Sequence, residues 1–193
     1  MKKIFLPLLA LLLLAGCGQE TQSGAAALQQ QYGLLAGYTA DVRVAVPRED
    51  ETPVYALHLK KDGGAVRAEV AEPEALAGIA ATMTGDALTL EYDGTILDAG
   101  TLSPRISALS AVPLLLDAFP QAYLDSCGSE TLEGEETLRT DFSVTLGGET
   151  FAGTLFFDAG GAPVYAEIAR DGKIIAAAEF TDFIFGDILS PDA

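Results

Sequence analysis

The feature that most constrains the fold is a series of short runs in which apolar and polar residues alternate, punctuated by glycine pairs. From Tyr38 to Val46, one face carries Tyr38, Ala40, Val42, Val44 and Val46, and the other Thr39, Asp41, Arg43 and Ala45. Leu138, Phe142, Val144 and Leu146 oppose Arg139, Asp141, Ser143 and Thr145 in the same way. Shorter alternations run through Val66–Val70, Leu88–Tyr92 and Ile174–Phe180. A period of two with one charged face specifies a sheet that is wet on one side. Between the runs stand Asp62-Gly63-Gly64, Asp93-Gly94, Gly147-Gly148, Gly160-Gly161 and Asp171-Gly172. Such pairs permit the positive φ of tight hairpins, so successive strands are expected to be antiparallel neighbours. The pattern predicts about ten strands, near 38–46, 54–61, 65–71, 79–84, 87–92, 96–102, 137–146, 150–158, 163–170 and 173–181, with a short further one at 183–186.

Two segments have helical spacing. Residues 24–36 carry Leu28, Tyr32 and Leu35, with Ser23 as N-cap and Gly37 as stop. The second begins at Ser103 and Pro104 and strings Ile106, Leu109, Val112, Leu116 and Phe119 along one stripe, with Pro113 expected to break or kink it. Pro73 to Gly78 reads as a short helical or looped connection. Ten strands make a sheet about 48 Å wide and, at six residues each, about 20 Å tall. Two or three helices about 10 Å across cover roughly half of its apolar face. The remainder must close on itself or enclose an apolar space, since so large a greasy face does not stand in water. Gly153, Ala166, Ala176 and Ala178 on the inner face are compatible with close packing or with room. The fold class expected is therefore mainly β with α, α+β. Most of the inner apolar residues are expected to be ordinary core. The candidates for lining a pocket are Tyr38, Val42, Val44, Leu109, Val112, Leu116, Phe119, Phe142, Val144, Leu155 and Ile168.

The chain opens with Met1-Lys2-Lys3, an apolar run from Ile4 to Leu14, then Ala15 and Gly16. This is the build of an export signal and is too short to span a bilayer, which needs about 20 apolar residues. Leu14-Ala15-Gly16-Cys17 resembles the lipobox of bacterial lipoproteins. That resemblance implies cleavage before Cys17 and a diacylglyceryl group on its sulfur, holding the protein to a membrane on the extracytoplasmic side of the cell envelope. In a Gram-positive cell this is the outer face of the plasma membrane. Two or three acyl chains anchor firmly where one does not. The expected organisation is a signal over 1–16, a polar, flexible, lipidated tether over 17–24, one domain over 25–187 and a tail over 188–193.

With 11 basic against 28 acidic residues the formal net charge is −17. Nucleic acid is thereby excluded as a partner, since its binding rests on phosphate neutralisation, and so is an electrostatic grip on anionic lipid. Only Cys127 accompanies Cys17. With the Cys17 sulfur lipidated, no internal disulfide is possible.

The order of elements, Pro73-Glu-Ala-Leu-Ala-Gly-Ile79, Leu90-Glu-Tyr-Asp-Gly94 and Ser103-Pro-x-Ile106 over residues 25–186 is similar to the LolA-like lipoprotein superfamily, and to its clostridial germination-type lipoproteins. The resemblance implies a strongly curved, incompletely closed antiparallel sheet, a half-barrel, wrapped around two or three helices. It further implies a non-enzymatic protein whose concavity takes lipid or acyl chains. The alternative it offers is an interaction module regulating an envelope or spore-cortex enzyme, an amidase partner. The soluble carriers of the family lack an anchor, so a tethered chain fits a local role better than long-range shuttling.

No nucleophile elbow, phosphate loop or zinc spacing occurs, and no cofactor is expected. His58, the single histidine, shares a face with Lys60 and reads as a surface residue. A Cys127–His58 nucleophile pair lacks a supporting signature around Ser126-Cys127-Gly128. Glu49-Asp50-Glu51 and Glu133-Gly134-Glu135-Glu136 lack the ordered ligand spacing of a calcium loop and read as solvated loops.

Overall fold

A computed structural model describes residues 17–101 and 106–187. The expected signal over 1–16, the Ser103-Pro104 helix start and the 188–193 tail lie outside the described residues. Among those described are two α-helices, α1 (Cys17–Gly33) and α2 (Ala108–Ala118). The strands are β1 (Gly37–Ala45), β2 (Val54–Asp62), β3 (Ala65–Glu72), β4 (Ala80–Thr84), β5 (Ala87–Tyr92) and β6 (Thr95–Thr101) before α2. After it come β7 (Leu124–Leu132), β8 (Glu135–Leu146), β9 (Glu149–Phe157), β10 (Pro163–Arg170) and β11 (Lys173–Phe185). Single 3-10 turns occupy Glu74–Leu76 and Phe119–Gln121.

All eleven strands form one antiparallel sheet in the order β6-β5-β4-β3-β2-β1-β11-β10-β9-β8-β7. The ladder begins at β6 and ends at β7, so the sheet is not closed. It bends around α2, which touches β3 and β4 in one half and β10 and β11 in the other. Apart from β1 meeting β11, every neighbour in the sheet is a sequence neighbour, which is what the glycine turns predict. Gly63, Gly94, Gly148, Gly161 and Gly172 all hold the positive φ their turns require.

Five expectations need correction. Strand β7 was not foreseen: it runs along the sheet edge, mostly exposed, and so lacks the half-buried alternation that marks its neighbours. Its hairpin turns at Glu133-Gly134, where φ is 53° and 92°, so this acidic stretch is a tight turn and not a plain loop. The strands expected at 173–181 and 183–186 are one strand: Asp41 pairs with Asp182 and Val42 with Phe180, leaving Thr181 as a bulge that resets the alternation. The polar stretch after Cys17 is helical and continuous with α1, which ends at Gly33 and not Ala36; Gln, Glu and Ala favour helix, and Ala25 is fully buried. Finally, α2 runs through Pro113 unbroken and is capped at Ser107, whose backbone N–H donates to Ser110 Oγ at 2.9 Å.

One hydrophobic core gathers the inner faces of both sheet halves, α2, and Tyr32 and Leu35 of the α1 region. Aromatic rings fill its centre. Phe119 lies 5.0 Å from Phe157 and 5.7 Å from both Tyr32 and Phe142, centroid to centroid, the spacing of offset and edge-to-face pairs. The Tyr32 hydroxyl donates to Gly161 O at 2.9 Å, and Gln29 Nε2 donates to Phe119 O and Ala122 O, both at 2.8 Å, so α1 is fastened across the end of the half-barrel.

Candidate functional site

The interior is filled by the chain itself. Tyr38, Val42 and Val44 on β1, Val112 and Leu116 on α2, Phe119, Phe142 and Val144 on β8, Leu155 on β9 and Ile168 on β10 are each no more than 5% exposed and belong to the single core cluster. Gly153 settles what the small inner residues are for: a Cβ placed there would lie 2.7 Å from Leu115 Cδ2 and 3.1 Å from the Phe142 ring. The Leu115 and Phe142 side chains fill the space above this strand, and Gly153 serves close packing.

Of the expected pocket residues, Tyr38 lines a recess beside Lys60, Lys61 and Asp62, and the one that borders an apolar cleft is Leu109. It lies at the start of α2, beside a cleft of about 380 Å³ whose apolar walls are Val46 after β1, Tyr55 of β2, Val70 of β3, Leu76 and Ile79 of the β3–β4 connection, and Ile106. Such a volume is at the lower end of the roughly 300–1,000 Å³ of small-molecule sites. Arg48 is the one charged residue lining the cleft, and its guanidinium pairs with Glu51 at 3.2 Å.

The register explains why the cleft opens where it does. Inner-face Leu59 pairs with Ala68, Ala68 with Ala81, Ala81 with Leu90 and Leu90 with Leu97, so the inner face continues to the β6 edge. Helix α2 packs on β3 and β4. Beyond them the face is open: Tyr92 is 58% and Leu97 61% exposed. The Ala80–Glu91 pair brings Ile79, in the cleft wall, and Tyr92 to the same end of the β4–β5 ladder. An apolar strip therefore runs from the cleft toward the sheet edge. The sequence stripe located Leu109 and Ile106, whereas Tyr92, seen as part of a strand face, and Leu97 are not among the pocket candidates because their exposure depends on where the helix lies.

Nothing assembles as a reaction centre among the described residues. His58 Nδ1 is 2.7 Å from Asp41 Oδ1 on the exposed face, as its spacing with Lys60 predicts. Cys127 lies on β7, at the opposite edge of the sheet order from β2's half, so the Cys127–His58 pair is not brought together. No group of three or more potential metal ligands occurs among the described residues. No described helix is long and apolar enough to cross a membrane.

No family model matches the chain, and no curated protein matches it in sequence. Solved structures do. A DUF1329 family protein from Desulfovibrio piger superimposes with a TM-score of 0.51 at 10% identity, covering 89% of this chain and 94% of its own. A conserved protein from Thermus thermophilus gives 0.50 at 13% identity, with 86% and 89% covered. A LolA superfamily protein from Nitrosomonas europaea gives 0.46 at 12% identity, with 92% and 96% covered. The chain shares its fold with the Desulfovibrio piger and Thermus thermophilus structures. Among the described residues the concavity of this half-barrel is occupied by α2 and the aromatic cluster, and a cleft remains beside Leu109.

Proposed function

We propose that the chain is a non-enzymatic lipoprotein of the cell envelope, anchored on the extracytoplasmic side through a diacylglyceryl group on Cys17, that holds a single acyl chain in the cleft beside Leu109. The observation that carries this reading is the continuity between the cleft and the uncovered inner face at Tyr92 and Leu97. A chain bound along this strip shields apolar surface at about 25 cal/mol per Å². Arg48 at the cleft is the complement of a carboxylate or phosphate head group. The packed core limits the guest to one chain, because the rest of the concavity is filled. The LolA-like fold and the Leu-Ala-Gly-Cys motif support an envelope address; the acidic surface makes a covalent anchor the means of staying at a membrane.

The test is photocrosslinking in cells producing the full chain and fed a clickable, diazirine-bearing palmitate. Tagged peptides from the α2 start and from β5–β6 are expected, in addition to any label on Cys17. Labelling confined to Cys17, or spread over the outer face, would overturn the reading.

A further inference from the structure

A second recess lies at the other side of the molecule, and the strand lengths create it. Strands β8 and β11 both outrun the β9–β10 hairpin between them. The β8–β9 ladder starts only at Leu138–Phe157, and the β10–β11 ladder stops at Tyr165–Glu179. Residues 135–137 of β8 and 180–185 of β11 therefore have no ladder partner on the side facing the hairpin. Two missing strands leave a notch about 10 Å wide. The β9–β10 turn forms its base, held shut by Asp158 Oδ1, which accepts from the Gly160 N–H at 2.8 Å and the Ala162 N–H at 2.9 Å. Helix α1 backs this turn, with Leu28 packed against Gly161 and the Tyr32 hydroxyl donating to its carbonyl.

The notch has a volume of about 680 Å³. Its apolar surface comes from Leu132, Val164, Tyr165 and Phe180, and its rim from Glu133, Glu135, Glu136, Asp158 and Glu179. No lysine or arginine lines it, and no described ion pair uses any of these five carboxylates. We propose that this notch is a docking site for an extended, basic peptide segment of a partner protein. The peptide adds as a strand to the free edge of β11, sets alternate apolar side chains on Val164 and Phe180, and presents lysine or arginine to the glutamates. Charge selects this occupant. A second copy of a chain with net charge −17 would bring like rims together, and an anionic lipid head group would be repelled. A free inorganic cation would leave the apolar floor unused. The site is separate from the acyl cleft, and either assignment stands without the other.

Fluorescence anisotropy tests it, using the full chain in detergent and a short labelled peptide of alternating lysine and valine. The triple variant Glu133→Gln, Glu136→Gln, Glu179→Gln is compared with Glu49→Gln, Asp50→Asn, Glu74→Gln, which removes the same charge elsewhere. Both sets are exposed, so folding is preserved, and circular dichroism checks it. The notch variant is expected to bind about tenfold more weakly, and the control within about twofold. Equal losses in the two variants would overturn the site. Equal binding of a lysine–serine peptide, or displacement by spermine at matched charge, would overturn the peptide assignment in favour of a general cation surface.

Discussion

Gly153 of β9 leaves the space that the Leu115 side chain of α2 fills: a Cβ on Gly153 would lie 2.7 Å from Leu115 Cδ2. Gly153→Ala is expected to destabilise the protein by about 1–3 kcal/mol through overpacking, and Gly153→Val by more. Urea denaturation measures it; an unchanged midpoint for Gly153→Ala would mean that the interior is looser than described.

Lys61 reaches from the inner face of β2 to Asp117 on α2, Nζ to Oδ1 at 2.6 Å, and is the more buried partner, its side chain 19% exposed against 47%. The two ends should therefore respond unequally. Asp117→Ala leaves a largely buried ammonium without its partner and is expected to cost about 1–2 kcal/mol. Lys61→Met keeps the packing and leaves a half-exposed carboxylate, costing less than about 1 kcal/mol. Thermal unfolding of both variants checks the order, and a reversed order contradicts it.

The Tyr38 ring is buried and stacked on Phe183 at 5.2 Å, while its hydroxyl has no hydrogen-bond partner among the described residues. Burial, with help from Asp117 and Tyr32, pushes its ionisation well above the ordinary tyrosine range. Removing a hydroxyl that gains nothing from the fold should help: Tyr38→Phe is expected to be neutral or stabilising by about 1 kcal/mol. A loss of stability in denaturant titration would show that the hydroxyl has a partner.

Burial raises the Asp141 carboxyl, but hydrogen bonds from Ser126, Arg139 and Thr154 outweigh it and hold the group below the usual carboxylate range. A lowered folded value adds stability that is present above about pH 4 and is lost as pH falls through that folded value. Asp141→Asn should therefore cost most near neutrality, and its deficit should shrink in acid. Melting temperatures from pH 7 to pH 2 test this; a pH-independent deficit contradicts it.

Much of the sheet was legible because ten strands are wet on one face or bounded by glycine turns, and alternation reports both. Strand β7 was not, since an edge strand such as Leu124–Leu132 is mostly exposed and gives the alternation little to record; the Glu133-Gly134 turn was the available signal. The eleven pocket candidates show a different limit. Periodicity identifies an inner face, as for Val42, Phe142 and Ile168, but whether that face meets a ligand or a helix depends on helix placement. Here Leu115 of α2 reaches down to Gly153 and the aromatic cluster fills the centre. The space left over lies at Leu109 and along β5–β6, where no periodic signal distinguishes covered from uncovered residues.

The central claim is that this leftover strip holds an acyl chain, and organic extraction of the purified full chain tests it most directly. Mass spectrometry of the extract should find about one non-covalent acyl species per protein for the wild type, and a loss of most of it in Leu109→Glu combined with Leu97→Glu. A wild-type extract without acyl species, or one unchanged by the double substitution, would contradict the account.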